Sequence, residues 1–436
     1  MRAGAARMAI TPPVGTELSG FVAREQPSVG LLDDLYARAL YLRRDEPGGE
    51  KLLWLHCDVI GFTRADAERL RKQLCEKLSL ESRQVLLSAT HTHSGPATVP
   101  LRECGRIDPG YMEAFGERLR AVAETAAAEA RPVTLRFGEG RCTLGADRRK
   151  GGPHSHADHR AAALAVVDAD GRALAVLANY GMHNVALSSR NRLISADVAG
   201  AAARSIRQHL PGEPVVLMAN GACGNVDPPE QSPDPSLMRG YGRELGGAIL
   251  AALETPETWD PADLATAMET LELPLTVLSA DEVRQRHERA VAAAPEDNAI
   301  DRRIRRAMRQ WRDETLALPA GGAPRTVSTD LQVLRIGRAR FAAVGAEVFS
   351  RMGDELRDRV GPRTYVIGCA NGLIGYLPHR EIYAEGGYEA DEAYMYCAHF
   401  MLAPGGYEAV RDRAAALLRS LPPTAGEPRA APPGRP

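Results

Sequence analysis

The chain has 436 residues, 44% hydrophobic and 25% charged, with a formal net charge of −2. That balance describes a globular protein with a sizeable core and excludes a strongly basic nucleic-acid binder. No apolar run approaches the roughly 18 residues of a membrane span, and the length admits one large domain or two ordinary ones.

In chain order, Met1 to Met8 lacks the apolar core of a secretory signal. Seven cysteines (Cys57, Cys75, Cys104, Cys142, Cys223, Cys369, Cys397) form no CxxC motif. An odd, scattered set is expected to be reduced, so the expected compartment is the cytoplasm. Leu52 to Cys57 and Val85 to Ala89 read as strands, with an amphipathic helix between them over 65–80. Residues 111–130 are expected to be helical. Ala162 to Val167 and Leu174 to Asn179 flank Asp168-Ala169-Asp170-Gly171, a hairpin turn signal. Val215 to Met218 is a further buried strand. Residues 281–318 are densely charged, and Arg302-Arg303-Ile304-Arg305-Arg306 sits in a helical pattern. They read as a solvated helical pair inserted between sheet halves. Ala320 to Pro324 reads as a loop, the sheet resumes at Leu331 to Ile336 and Phe341 to Val344, and a helix is expected over 406–420. The expected organisation is one α/β domain over 1–421, with mixed central sheets flanked by helices, and a disordered Pro/Gly/Ala tail over 422–436. No internal repeat is visible.

His91-Thr92-His93-Ser94-Gly95-Pro96, just past the second strand, carries the strongest chemical signal. Histidine is both the commonest neutral metal ligand and the side chain that titrates nearest neutrality. On a strand both rings would share one face; on a loop one could reach a metal and the other a substrate. Either arrangement suggests a metal-dependent hydrolase. His183 follows another strand, and Asp197 is a candidate to orient a ligand imidazole. The cluster His154-Ser155-His156-Ala157-Asp158-His159 competes as a metal site, although its glycine-rich setting offers little preorganisation. Glu347 sits just past a buried strand, and Cys369-Ala370-Asn371-Gly372 leads on to Tyr376 and Tyr388.

Six motifs in order resemble the neutral (non-lysosomal) ceramidases over roughly residues 8–420. They are Ile10-Thr11-Pro12-Pro13-Val14-Gly15, the His91 to Pro96 run, Tyr180 to His183, Gly224-Asn225-Val226-Asp227-Pro228, the Glu347 segment and Tyr376 to Tyr388. The resemblance implies the fold of that family's catalytic domain and a zinc site. It implies His91, His183, Glu347 and Tyr376 as ligands, His93 as the proton-transfer histidine, Tyr388 as the oxyanion donor and Arg148 as a substrate contact. Such a donor set suits Zn²⁺.

The chain departs from the family at Asp227, which stands where ceramidases carry a serine. It could bind a cationic or polyhydroxylated substrate, act as a base, or cap a helix beginning near Pro228. The family's C-terminal β-sandwich and secretory signal are not seen, so a smaller soluble substrate is expected in place of ceramide. The leading expectation is a zinc-dependent hydrolase of a linear amide. The alternatives are an esterase or a lyase using Asp227 as base, and a non-catalytic binding homologue. The expected partner is a small-molecule substrate, with no nucleic acid and no stable membrane insertion; the oligomeric state is left open.

Overall fold

Three stretches of the chain fold into the same unit: an antiparallel hairpin, a crossover helix, and a strand parallel to the hairpin's second strand. The computed structural model describes residues 1–149, 152–259, 263–319 and 321–422. In the first unit Tyr36–Arg43 pairs with Lys51–Cys57, α1 (Arg64–Leu78) crosses over, and Val85–Ala89 returns with Leu87 opposite Leu55. Thr63 starts α1 by accepting the Asp66 amide at 3.0 Å, satisfying an N–H that the helix itself cannot. α2 (Pro109–Ala128) packs against the same face of the sheet as α1. The second unit joins Arg160–Asp168 and Ala173–Tyr180 through the expected turn, where Asp168 accepts the amides of Asp170 and Arg172. Its crossover is α3 (Asp197–His209), and Val215–Asn220 lies parallel to Ala173–Tyr180. The third unit is Thr326–Ile336, Ala339–Val344, the helix Arg351–Val360 and Thr364–Ile367. The units share topology and not residues, so the sequence shows no repeat.

The first two units lie in one nine-stranded sheet and the third in a five-stranded sheet that also holds Leu264–Thr276 and Met401–Leu402. Period-two alternation packs the two sheets face to face. Leu52 and Trp54 join Leu334, Ile336 and Phe341 between them, whereas Leu53 and Leu55 face α1 and α2 on the other side. The order is helices, sheet, sheet, helices, the mixed α/β arrangement expected. The final helix, Gly406–Ser420, covers the outer face of the smaller sheet.

The helix expected near Pro228 begins later, as α4 (Pro235–Ala252). Its N-cap is Asp234, which accepts the Ser236 amide at 2.9 Å. Prolines at 228, 229 and 233 bias their preceding residues away from helix, whereas Asp234-Pro235 combines a good N-cap with proline at the first helical position. Asp227 therefore caps nothing; it sits in a two-residue ladder with Ala146–Asp147.

The charged segment forms α5 (Ala280–Ala292) and α6 (Ala299–Leu316), leaving between two paired antiparallel strands. It is docked more firmly than a solvated insertion would be. Arg303 donates to the carbonyls of Val22 and Glu103, and Arg306 pairs with the Glu103 carboxylate at 3.0 Å. Trp311 is fully buried against Tyr394. The basic run is consumed by internal contacts. No described helix is long and apolar enough to cross a membrane. Except for Pro422, the expected tail lies outside the described residues, as does Ala320 of the expected loop.

Candidate metal centre

The three units meet at the carboxyl ends of their parallel strands, where open α/β sheets place their ligands. Backbone contacts close the meeting into a ring. Asn371 N donates to Leu87 O, His93 N to Asn184 O, and Gly368 N to Asn220 O, joining each unit to the other two. Asn184 and Asn220 both donate side-chain N–H groups to Thr90 O. Four non-glycine residues here, His91, Asp197, Cys369 and Asn371, hold left-handed φ angles of 62°, 55°, 49° and 56°. Such conformations persist only where surrounding contacts over-determine them, and they cluster at functional sites.

The loop after Val85–Ala89 carries His91 and His93, the loop after Ala173–Tyr180 carries His183, and Glu347 follows Ala339–Val344. His91 Nδ1 lies 2.7 Å from Ile60 O, and His183 Nδ1 lies 2.8 Å from Cys223 O. A carbonyl only accepts, so both Nδ1 atoms carry protons. On neutral rings the two Nε2 atoms then present lone pairs. These face Glu347 Oε2, at 3.4 Å from His91 and 3.0 Å from His183. His93 Nε2 lies 3.3 Å from His91 Nε2, and ligand nitrogens of all three histidines fall within 4.8 Å of one another. Tyr376 Oη adds an oxygen 3.4 Å from His183 Nε2.

Lone pairs and a carboxylate converging in a buried space need a cation among them. Burial opposes ionisation of Glu347, yet His91 and His183 hold its carboxyl well below the usual range. Burial likewise opposes a charge on His183, but Cys223 and Glu347 outweigh it and push the ring up to about 9. Imidazole, carboxylate and phenol donors, with outward nitrogens anchored on carbonyls, fit a zinc-like ion. His93 differs: burial and then the rings of His91 and His183 hold it well below its usual value, so it is neutral.

The residues expected from the sequence come together here. Arg148 lies over the Tyr376 ring at 5.1 Å and the Tyr388 ring at 5.9 Å. It donates to Glu389 at 2.7 Å and to Gly224 O at 2.9 Å. Asp227 sits 3.5 Å from Arg148 and 3.6 Å from His183 Nδ1, on the side of that ring away from Glu347. A cavity of about 400 Å³ opens in front, reached by His91, His93, Glu347, Tyr376 and Tyr388. Its remaining wall is largely apolar, including Phe21, Val99, Leu101 and Leu373. Asp227 and Arg148 are not among its lining residues.

Two expectations are corrected. Asp197 does not orient an imidazole; it accepts the amides of Ala186, Leu187 and Val198, fixing the loop after His183. Backbone carbonyls do the orienting instead. The His154 to His159 cluster is spent on structure, with His156 between Ser350 (2.8 Å) and Asp354 (2.6 Å) and His159 on Gly145 O. Sequence reasoning also missed Arg24, a buried guanidinium that donates to His93 O at 2.7 Å, to Ser19 O and to Asn191 O. No local pattern marks it. Asn184, directly after His183, was the readable clue to the loop lock.

Comparison with known proteins gives one consistent family. The pattern for "Neutral/alkaline non-lysosomal ceramidase, N-terminal" matches residues 1–104. The neutral ceramidase of Pseudomonas aeruginosa is 24% identical over 232 residues, 48% of this chain and 34% of that protein. The match thus spans about a third of the length of the curated relative. The crystal structure of the P. aeruginosa neutral ceramidase superposes with a TM-score of 0.74 at 19% identity, covering 99% of this chain and 76% of that one. A structure described as ceramidase complexed with C2 gives 0.73 at 19% identity, covering 99% and 77%. The resemblance read from the motifs and the fold it implied are both found.

Proposed function

We propose that this chain, a divergent relative of the neutral/alkaline non-lysosomal ceramidases, is a zinc-dependent hydrolase that cleaves the linear amide of a small N-acyl compound. The carrying observation is the convergence of His91 and His183 Nε2 on Glu347 at the floor of an apolar-walled cavity. His91, His183, Glu347 and Tyr376 would hold the ion. Zinc at such a site would supply a Lewis acid and lower the pKa of a bound water towards neutrality.

The protein's own groups would do the rest. Neutral His93 is poised to take a proton at Nε2 and pass it to the departing amine, a contribution of about 10²–10⁴-fold for such groups. Tyr388 would donate its hydroxyl to the developing oxyanion. Arg148 holds the Tyr376 and Tyr388 rings in place. The apolar wall suits an acyl group, and about 400 Å³ is at the small end of ligand sites, supporting a compact substrate. Asp227 lies behind His183 and off the cavity, which favours a positioning role over direct proton abstraction from substrate and so favours hydrolysis over elimination.

A panel of N-acyl amides and matching esters, followed by mass spectrometry, tests this reading. Amide turnover with one water added to the summed products is expected in the zinc-loaded protein and not in His91→Ala. Faster turnover of the esters would move the assignment to an esterase. An unsaturated product would make it a lyase. No turnover of any substrate, with less than about half an equivalent of zinc bound, would overturn it.

A further inference from the structure

A second cavity, of about 370 Å³, lies apart from the metal centre between the strands Arg2–Ala9 and Tyr36–Arg43 and the helix α3. Five guanidiniums line it: Arg7, Arg38, Arg204, Arg207 and Arg239. Asp234, near Arg239, is spent on capping α4 and accepts from the Ser236 amide and hydroxyl at 2.9 and 2.8 Å; the other facing carboxylates are likewise engaged. Arg38, almost wholly buried at the base, pairs with Asp58 at 2.7 Å. Arg204 meets Asp33 at 3.4 Å, and Arg207 pairs with Glu213. Asp34 is held by the Thr11 hydroxyl at 2.8 Å.

Arg7 and Arg239 are left without an ion-pair partner among the described residues. Arg7 is instead laid over the Tyr36 ring, 4.6 Å from its centroid, with Arg38 over the same ring at 5.5 Å. Stacking fixes the direction of a planar fork and leaves its N–H groups free. Burial, and then the charges of Arg207 and Arg38, make the cationic form of Arg7 less favourable than in water. Positive groups crowded into a cleft raise the local potential and concentrate anions there. Guanidinium forks match the paired oxygens of a phosphate group bidentately.

We infer that this cleft is a binding site for a phosphate group, free or esterified on a small metabolite, held by Arg7, Arg204, Arg207 and Arg239 above the Arg38–Asp58 pair. The volume exceeds what a single phosphate fills, so the esterified form is the better occupant. The site is independent of the metal centre and of the reaction assigned to it.

Calorimetric titration with inorganic phosphate and with glycerol 3-phosphate, at constant ionic strength in chloride, tests the assignment. Wild-type protein should bind one equivalent saturably, the ester more tightly than inorganic phosphate. The exposed double variant Arg7→Gln/Arg239→Gln should bind at least about tenfold more weakly with an unchanged melting temperature. Binding should persist in His183→Ala, because a phosphate seated at the metal centre would be lost there. Three results overturn the inference: no saturable binding of either probe, equal affinity in the double variant, or loss of binding in His183→Ala.

Discussion

Glu347 and Tyr376 are register partners in a two-residue parallel ladder, Glu347–Val348 against Tyr376–Leu377. The pairing sets a carboxylate and a phenol side by side, although 28 residues of helix, strand and loop separate them in the chain. Both come from the third unit, whereas the imidazoles come from the first and second.

Replacing Glu347 by Gln keeps the shape and removes the charge that His91 and His183 face. Bound zinc, measured by atomic emission, should fall below about half an equivalent. Amide turnover should drop by at least about 100-fold, in line with loss of one electrostatic element of a site. Full zinc occupancy in this variant would remove Glu347 from the ligand set.

Gly20 has φ +96°, and a Cβ on it would stand 2.4 Å from His93 Nδ1. Gly20→Ala should therefore push the His93 ring aside while leaving His91, His183 and Glu347 where they are. Misplacement by about 1 Å is enough for a loss on the order of 100-fold in turnover. Zinc content should be unchanged. If zinc leaves with activity, His93 is a ligand and not a proton carrier.

Asp227→Ser restores the residue type that the resembled family carries. The variant should keep its zinc, because Asp227 lies on the outer side of His183, and should alter turnover through Arg148 and the His183 ring. Loss of metal from Asp227→Ser would show that the carboxylate belongs to the coordination sphere.

His56 gives an acid limit to stability. It is fully buried opposite Arg38 in strand register and lies 2.9 Å from the Ser88 hydroxyl. Burial first, and then Arg38, lowers its pKa to about 3. The unfolded chain, with an ordinary value near 6.5, binds the extra proton over the window between. Stability from this residue is thus complete above about pH 6.5 and is lost as pH falls towards 3, amounting to about 3 kcal/mol by pH 4.5. Urea unfolding at pH 7 and pH 4.5 should show a smaller drop in His56→Gln than in the wild type. Equal drops would assign the acid limit to other groups.

Arg303 joins α6 to the backbone beside the cavity by bonds to Val22 O and Glu103 O; Val22 and Cys104 are cavity-wall residues. Arg303→Ala should raise KM by about tenfold, the scale of charge-assisted bonds, with kcat and zinc nearly unchanged. A fall in kcat at constant KM would mean that α6 acts on the metal centre.

Much of this was readable from residues alone. Buried strands announced themselves as apolar runs, the hairpin at Asp168 by its turn residues, and the loop histidines by following strand ends. Unreadable features depend on contacts between distant segments. The carbonyls of Ile60 and Cys223 that orient the imidazoles have no side-chain signature. Arg24 looks like any surface arginine until its three carbonyl partners are assembled around it. The helix-cap reading of Asp227 fails because Asp234-Pro235, a few residues on, is the stronger start signal. The charged α5–α6 pair reads as solvated by composition, but Trp311 buries it against Tyr394 and Arg303 ties it to the cavity wall at Val22.

The ring of three units has a consequence for the life of the molecule. The first unit holds two histidines, the second one, and the third the carboxylate and phenol, so no fragment made of one unit contains the full donor set. An ion that binds only the assembled ring stabilises it by mass action and leaves partly docked chains without that gain. Under the proposed function, metal occupancy would report completed assembly, and a nick or misdocking in any one unit would release the ion even where its own donors were untouched.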